Sequence, residues 1–222
     1  MMRKPLVALF ALASVAAMAK PPRFLGPPVK KPADAGPADA GAADPAPDAG
    51  SPAAHGQADP PALGPGDDAP MFSAVLHNPD AAGMKTVDLS SMVGAGADQD
   101  QAAKAVLISF FATWCAPCKK EMPFLQQLST EYKERGLRVL SVAIDKEESA
   151  WPAILLLVRE NRVTYPVVKD RYNLIARRYL GEKTALPSVY IIDREGKVAM
   201  VKQGYPDDAA TFLRAEVERA LK

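Results

Sequence analysis

Cys115 and Cys118 are the two cysteines of this 222-residue chain, and their spacing is the strongest chemical signal in the sequence. A Cys-x-x-Cys pair can close into a disulfide and reopen to a dithiol, so it can donate and accept two electrons. The thiolate is the reactive form of cysteine, and a helix N-terminus or a nearby cation stabilises it. The spacing therefore predicts redox chemistry centred on these two sulfurs.

Two other uses of the cysteine pair are less well supported. A structural zinc site has four ligands as a rule, but there is no second cysteine pair, and His55 and His77 lie outside this segment. A purely structural disulfide that closes so small a loop stabilises a fold by no more than about 2 kcal/mol. A redox-active dithiol is the favoured interpretation, and we expect neither a metal nor a cofactor.

The residues on either side of the pair predict a strand followed by a helix. Ala105–Phe111 is an apolar, partly β-branched run that is typical of a buried strand. Beyond the cysteines, Met122, Leu125 and Leu128 recur at the spacing of one helix face. Cys115 is therefore expected near the helix start, where free backbone N–H groups and the positive end of the helix dipole favour a thiolate.

Three parts of the chain differ in composition. Residues 1–19 combine a basic start, an apolar run and small residues at a cleavage point, as in a secretory signal peptide. Residues 20–70 are rich in Pro, Ala, Gly and Asp and predict a disordered spacer, whereas 71–222 are expected to form one folded domain. We therefore expect a periplasmic or otherwise extracytoplasmic protein, tethered to the membrane if the signal segment is retained.

The stretch 111–123, Phe-Ala-Thr-Trp-Cys-Ala-Pro-Cys-Lys-Lys-Glu-Met-Pro, resembles the TlpA/ResA/CcmG branch of thiol-disulfide oxidoreductases in the thioredoxin superfamily. The resemblance extends from about Met71 to the C-terminus. Predicted strands and helices alternate through this region and end in a hairpin, 188–193 with 197–201, and a helix. We therefore predict an α/β, thioredoxin-like fold: a central mixed sheet flanked by helices, with a TlpA-like helical insertion and an N-terminal hairpin.

Three residues are predicted to carry the catalysis. Cys115 is expected to be exposed and to attack the substrate, with Lys119 one turn away to favour its thiolate, while Cys118 resolves the mixed disulfide. Ser109 replaces the buried acid that thioredoxin carries on this strand. The resemblance instead places a glutamate at Glu121, where a buried carboxylate with a raised pKa could move the proton of Cys118. The alternative is that Glu121 is a solvated surface residue like its lysine neighbours.

Five residues are predicted to contact the substrate: Trp114, Ala116, Pro117, Leu186 and Pro187. Trp114 precedes the nucleophile and is expected beside the substrate groove, with core filling as the alternative. By resemblance, Pro187 has a cis peptide bond and touches the cysteine pair, and the backbone of Leu186 pairs with an extended substrate. The sequence departs from the family at Ala185, where a glycine is usual.

The predicted function is the reduction of disulfides in exported proteins, such as in cytochrome c maturation or metal-site assembly. Protein thiols and disulfides would be the substrates and a membrane thiol reductase the electron donor, with the protein acting as a monomer. Strong oxidants of this superfamily have a histidine between the two cysteines that stabilises the reduced thiolate. Here Ala116 and Pro117 lie between the cysteines, which favours the reduction of substrate disulfides over their formation. The 27 basic and 26 acidic residues leave no excess charge for binding nucleic acid.

Two alternative functions stay open at this point. One is a redox-sensing or binding module without turnover, which would not reduce a disulfide when given a thiol donor. The other is a thiol peroxidase. A peroxidase of this kind has a threonine three residues before its reactive cysteine, whereas Thr113 lies two residues before Cys115.

Overall fold

The computed structural model describes residues 62–182 and 185–222. The predicted signal peptide, 1–19, and the part of the predicted spacer that ends at residue 61 lie outside the described residues. Within the described ranges, none of the helices has the length and apolar character needed to cross a membrane.

A five-stranded mixed sheet forms the centre of the fold, with the strand order β5-β4-β3-β6-β7. Strand β3 runs parallel to β4 and antiparallel to β6. The strands of this sheet are β3 (Ala105–Phe111), β4 (Leu137–Ala143), β5 (Val167–Lys169), β6 (Ser188–Asp193) and β7 (Val198–Gln203). The predicted central mixed sheet is confirmed.

Helices cover both faces of this sheet. The helices are α1 (Pro79–Ala82), α2 (Ala116–Tyr132), α3 (Trp151–Glu160), α4 (Leu174–Leu180) and α5 (Ala209–Ala220). Helices α2 and α5 pack against the sheet and against each other. Ser109 and Phe110 are adjacent on β3, so their side chains point to opposite faces of the sheet. Ser109 faces α2, whereas the ring of Phe110 lies 5.4 Å from that of Tyr179 in α4. Helix α4 therefore covers the face opposite to α2. The segment α3-β5-α4 is the predicted helical insertion, and the thioredoxin-like fold class is confirmed.

Strand β3 has the sequence of an interior strand and is buried at all seven positions. Its β-branched and aromatic side chains favour the extended conformation and fill both faces of the sheet. It pairs with β4 along its whole length and with β6 over six of the seven positions. The chain therefore leaves β3 from a fixed position at the centre of the sheet edge.

The predicted N-terminal hairpin is also confirmed. Strands β1 (Ser73–Val75) and β2 (Thr86–Asp88) pair antiparallel in a separate two-stranded sheet. The residues before the hairpin differ from the prediction, which placed them in a spacer ending at residue 70. The N–H of Leu63 bonds to the carbonyl of Tyr179, and the N–H of Ala69 bonds to that of Gly196. The predicted boundary therefore falls inside a segment that is hydrogen-bonded to the domain.

Residues 62–77, which we call the N-terminal strap, reach both edges of the central sheet. At the β7 edge, Gly66 donates to the carbonyl of Val198, and the N–H of Val198 donates to Asp67. At the β5 edge, the N–H of His77 donates to the carbonyl of Val167 at 2.8 Å. The strap thus satisfies backbone groups that an open sheet edge would leave unpaired.

The side chain of Asn78 fixes the end of the strap against β5. Its amide nitrogen donates to the carbonyl of Tyr165 at 2.8 Å, and its amide oxygen accepts from the N–H of Val167 at 2.9 Å. Asn78 is buried, so water does not compete for these two backbone groups.

We expect Asn78→Ala to lower the free energy of unfolding by about 2 to 4 kcal/mol, because it leaves two buried backbone groups without partners. Urea unfolding followed by circular dichroism measures the change. Asn161→Ala is the matched control, since Asn161 makes one bond at the end of α3 and is only half-buried. A loss below about 1 kcal/mol at Asn78, similar to the control, would contradict the anchoring role.

Candidate active site

The two cysteines lie at the turn between β3 and α2, as predicted. Cys115 is the N-cap of α2, and its sulfur accepts the N–H of Cys118 at 3.2 Å. The N–H of Cys115 bonds back to the carbonyl of Ala112, which tightens the turn after β3. Pro117 lies in the first turn of the helix, where its missing N–H costs no intrahelical bond. The first turn of α2 therefore presents a backbone donor to the sulfur of Cys115.

Cys115 and Cys118 are joined in a disulfide. The prediction that Cys115 is exposed is wrong for this oxidised form, in which Cys115 is 5% exposed and Cys118 is 2% exposed. The reason is that the Cys115 sulfur is bonded to the sulfur of Cys118 and packed on the first helical turn. The difference in reactivity between the two cysteines therefore stays a prediction about the reduced form.

The residues beside the disulfide are exposed even though the sulfurs are not. Trp114 is 69% exposed, so it is not part of the core, which removes the alternative of a core-filling residue. Ala116 and Pro117 are also exposed. A substrate can thus approach the disulfide over apolar side chains that are already at the surface.

The loop before β6 has the predicted backbone geometry. The Leu186–Pro187 peptide bond is cis, which confirms the prediction. Pro187 immediately precedes Ser188, which pairs with Phe110 near the end of β3. Contact between Pro187 and the cysteine pair stays a prediction, as does pairing of Leu186 with a substrate. At the atypical Ala185, the loop is closed by the Ser188 hydroxyl, which donates to the Ala185 carbonyl at 2.6 Å.

Glu121 is buried in the face of α2 that packs on the sheet, with 1% of its surface exposed. The hydroxyl of Ser109 donates to its Oε2 at 2.8 Å, and its Oε1 has no hydrogen-bond partner among the described residues. Burial raises the pKa of Glu121 from its ordinary 4.5 to about 7, opposed by the Ser109 hydrogen bond and by the charge of Lys202. The alternative interpretation of Glu121 as a solvated surface residue is wrong.

Glu121 and Cys118 are three residues apart on α2, and both are buried. Side chains at this spacing are neighbours on one helix face. A carboxyl group whose pKa is near 7 can both accept and release a proton at neutral pH. The site therefore holds a group that is able to take the proton of the Cys118 thiol.

One site residue was missed by the sequence reasoning. Asp145 is buried two residues beyond the end of β4, and its carboxylate accepts the N–H of Thr113 at 3.0 Å and the hydroxyl of Thr113 at 2.6 Å. These bonds hold the turn that leads from β3 into Cys115. An acidic residue after a strand parallel to β3 is the signal that would have indicated this contact, since parallel strands end at the same sheet edge.

A mixed sheet with a Cys-x-x-Cys disulfide where its central strand turns into a helix defines the class: a thioredoxin-fold protein with a dithiol–disulfide centre. The chain belongs to the AhpC/TSA family, whose model matches residues 65–201.

Relatives with curated names agree with this class. The thiol-disulfide oxidoreductase ResA of Oceanobacillus iheyensis is 32% identical over 139 residues, which are 63% of this chain and 65% of that protein. ResA of Bacillus subtilis is 30% identical over 139 residues, 63% of this chain and 67% of that protein. The chain thus spans about two thirds or less of the length of these relatives.

A solved structure extends the comparison. The thiol:disulfide interchange protein of the thioredoxin family from Chlorobium tepidum TLS is 27% identical, with a TM-score of 0.56. The match covers 72% of this chain and 100% of that one.

The raised pKa of Glu121 predicts how the stability of the oxidised protein depends on pH. The folded protein holds this proton more tightly than the unfolded chain, with a pKa of about 7 against about 4.5. The contribution of Glu121 to the free energy of unfolding therefore decreases as the pH rises from 4.5 to 7, by about 3 kcal/mol. Glu121→Gln should remove this decrease.

Urea unfolding at several pH values between 4.5 and 8 measures the effect. Glu134→Gln is the control, because Glu134 is exposed in the turn after α2 and should leave the decrease unchanged. An identical pH dependence in the wild-type protein and Glu121→Gln would contradict the raised pKa.

Proposed function

We propose that this protein is an extracytoplasmic thiol-disulfide oxidoreductase that reduces disulfides in exported proteins. The observation that carries the proposal is the Cys115–Cys118 disulfide at the start of α2, one turn before the buried carboxyl group of Glu121. Such a centre contains a nucleophile, a resolving thiol and a proton carrier within two helical turns. The family membership and the named relatives support the same class of activity.

In the reduced protein, the thiolate of Cys115 attacks one sulfur of a substrate disulfide. A mixed disulfide forms, and the other substrate sulfur leaves as a thiolate that takes up a proton. The helix dipole and the N–H of Cys118 stabilise negative charge at the Cys115 sulfur before the attack.

Resolution of the mixed disulfide requires the proton of Cys118 to leave. The carboxylate of Glu121 accepts this proton, and the Cys118 thiolate attacks the sulfur of Cys115. The Cys115–Cys118 disulfide forms, and the second substrate sulfur leaves as a thiolate that is protonated. The substrate thus gains two electrons and two protons, and the cysteine pair loses them. A thiol donor must then reduce the Cys115–Cys118 disulfide, which is the role proposed for a membrane thiol reductase.

Substrate recognition is assigned to exposed apolar groups and to backbone. Trp114, Ala116 and Pro117 border the disulfide at the surface. The loop of Leu186 and Pro187 precedes β6, and its backbone would pair with an extended segment of the substrate. These contacts need no particular side chain in the substrate. They would therefore suit substrates from cytochrome c maturation and from metal-site assembly equally well. The protein is expected to work as a monomer.

The residues between the cysteines favour reduction over oxidation. Neither Ala116 nor Pro117 has a side chain that donates to a thiolate, so the dithiol form gains no stabilisation from them. Lys119 is exposed, and an exposed charge contributes less than about 1 kcal/mol. The disulfide should therefore be more stable than it is in strong oxidants.

Peroxidase activity is the second candidate, but the site argues against it. The hydroxyl of Thr113 donates to Asp145 at 2.6 Å, so its proton is already engaged away from the sulfur of Cys115. Consumption of hydrogen peroxide with dithiothreitol as donor tests this candidate directly, and reduction of a protein disulfide under the same conditions tests the proposed one. A module without turnover would do neither.

We expect Cys118→Ser to accumulate a mixed disulfide with its substrate, because the resolving thiol is gone while Cys115 still attacks. Non-reducing gels of protein recovered from cells, with acid quenching of free thiols, detect the adduct. Cys115→Ser is the control and should form at least tenfold less adduct. Equal trapping by both variants would remove the assignment of Cys115 as the nucleophile.

We also expect the reduction potential of the Cys115/Cys118 pair to be closer to that of thioredoxin, about −270 mV, than to that of the oxidant DsbA, about −120 mV. Equilibration of the purified protein with glutathione redox buffers measures it. A potential more positive than about −180 mV would indicate an oxidant or isomerase instead.

A further inference from the structure

Lys202 is aligned with the Ser109–Glu121 pair by the register of three strands. Ser109 of β3 lies opposite Val189 of β6, and Val189 lies opposite Lys202 of β7. Residues directly opposite in antiparallel strands project to the same face of a sheet. Since the Ser109 hydroxyl binds Glu121 of α2, Lys202 projects to the α2 face as well. Two strand spacings, about 10 Å, separate the backbones of Ser109 and Lys202, and the long stem of lysine spans part of that distance.

The ammonium group of Lys202 also contacts the loop that follows β7. Lys202 is half-buried, and its ammonium group donates to the carbonyl of Gly204 at 2.9 Å. The N–H of the same glycine donates to the carbonyl of Pro187 at 2.7 Å. Gly204 has a φ of +75°, a conformation that side chains disfavour, and this turn directs its two polar groups to Lys202 and Pro187. Lys202 therefore connects the surroundings of Glu121 to the loop of the cis proline.

Two influences favour the carboxylate form of Glu121: the hydrogen bond from Ser109, which is the larger, and the charge of Lys202. The Oε1 of Glu121 has no hydrogen-bond partner among the described residues, so one of its oxygens lacks the donors that would stabilise a charge. The other ionisable groups that act on Glu121 are Tyr165 and Tyr205, and burial raises the pKa of both, which keeps them neutral. Among the charged side chains of the described residues, Lys202 is the one whose electric field favours the ionised form of Glu121.

We propose that Lys202 is a positioning residue that keeps Glu121 partly ionised at neutral pH and couples its protonation to the Gly204–Pro187 loop. The catalytic consequence of this coupling rests on the proposed function: the proton that Glu121 takes from Cys118 would also change the surroundings of the substrate-binding loop. The electrostatic coupling itself does not depend on turnover. It assigns to β7 a part in a site that is otherwise formed by β3, α2, the segment after β4 and the loop before β6.

The test is a direct titration of the oxidised protein by nuclear magnetic resonance, following the side-chain carboxyl carbon of Glu121 and the amide of Gly204. Lys202→Met keeps most of the side-chain stem and removes the charge. We expect the midpoint of the Glu121 titration to rise, on the order of one pH unit for a charge pair in a partly buried setting. The Gly204 amide should titrate together with Glu121 in the wild-type protein and lose this response in Lys202→Met.

Three further variants separate the proposal from structural effects. Lys202→Arg retains a charge and should keep the midpoint close to the wild-type value. Lys202→Gln is a second neutral variant that still offers a donor to Gly204, and it should shift the midpoint as Lys202→Met does. Lys197→Met removes a lysine that immediately precedes β7 and pairs with Asp68, and it should leave the midpoint of Glu121 unchanged.

An unchanged midpoint of Glu121 in Lys202→Met or Lys202→Gln would overturn the proposal, and so would an equal shift in Lys197→Met. A disulfide-reduction assay on the same proteins keeps this result apart from the proposed function. If the wild-type protein lacks reductase activity while the midpoint shifts, the proposed function fails and the role of Lys202 stands. If the reductase is active and the midpoint does not move, only the role of Lys202 fails.

Discussion

The pairing of β3 with both of its neighbours is the constraint on which the site depends. Every residue of β3 is buried, and its backbone is hydrogen-bonded to β4 on one side and to β6 on the other. A one-residue slip in either register would move Ser109 to the other face, away from Glu121, and would bring Phe110 under α2. Such a slip is unfavourable, because β3 would lose buried surface and interstrand hydrogen bonds along its length. The pairing of β3 in the sheet therefore fixes the position of the turn that holds Cys115.

The buried carboxyl group of Glu121 shows a conflict between stability and chemistry. An apolar residue at this position would fill the space between α2 and the sheet without an unpaired oxygen. The protein instead retains a carboxyl group whose pKa is raised to about 7, so that both of its protonation states are populated near neutral pH. Departures from a well-packed apolar core are expected where a fold carries out a reaction, and the rest of the interior compensates for them.

Local patterns in the sequence predicted the elements, whereas the contacts between distant elements were not accessible from it. The apolar run 105–111 and the spacing of Met122, Leu125 and Leu128 were sufficient to predict β3 and α2, because each pattern is contained within one element. The cis peptide bond at Pro187 was predicted from the resemblance to the family and not from a local pattern. The exposure of Cys115 was predicted from its place at a helix start, which says nothing about how its sulfur packs once it is bonded to Cys118.

The position of Lys202 could not be predicted for a different reason. The pairing of β6 with β7 is irregular between Ile191 and Ile192. Ile192 pairs with Val198, and an unbroken ladder from that pair would place Val201 opposite Val189, with Lys202 on the other face. The irregularity shifts the register by one residue and brings Lys202 to the face of Glu121. No feature of the alternation within β7 alone indicates where such an interruption occurs.

The N-terminal strap reverses the usual relation between order of synthesis and order of assembly. Its residues and the adjoining Asn78 are the earliest of the described chain to leave the ribosome, but the bond between Asn78 and Val167 spans 89 positions and that between Asp68 and Lys197 spans 129. Closing such long loops comes late in folding, because the intervening chain must first be ordered. Until then both edges of the central sheet are open to other unfolded chains. The domain is therefore most prone to aggregate after its strands have paired and before the strap docks, and the strap ends that period by occupying the edges itself.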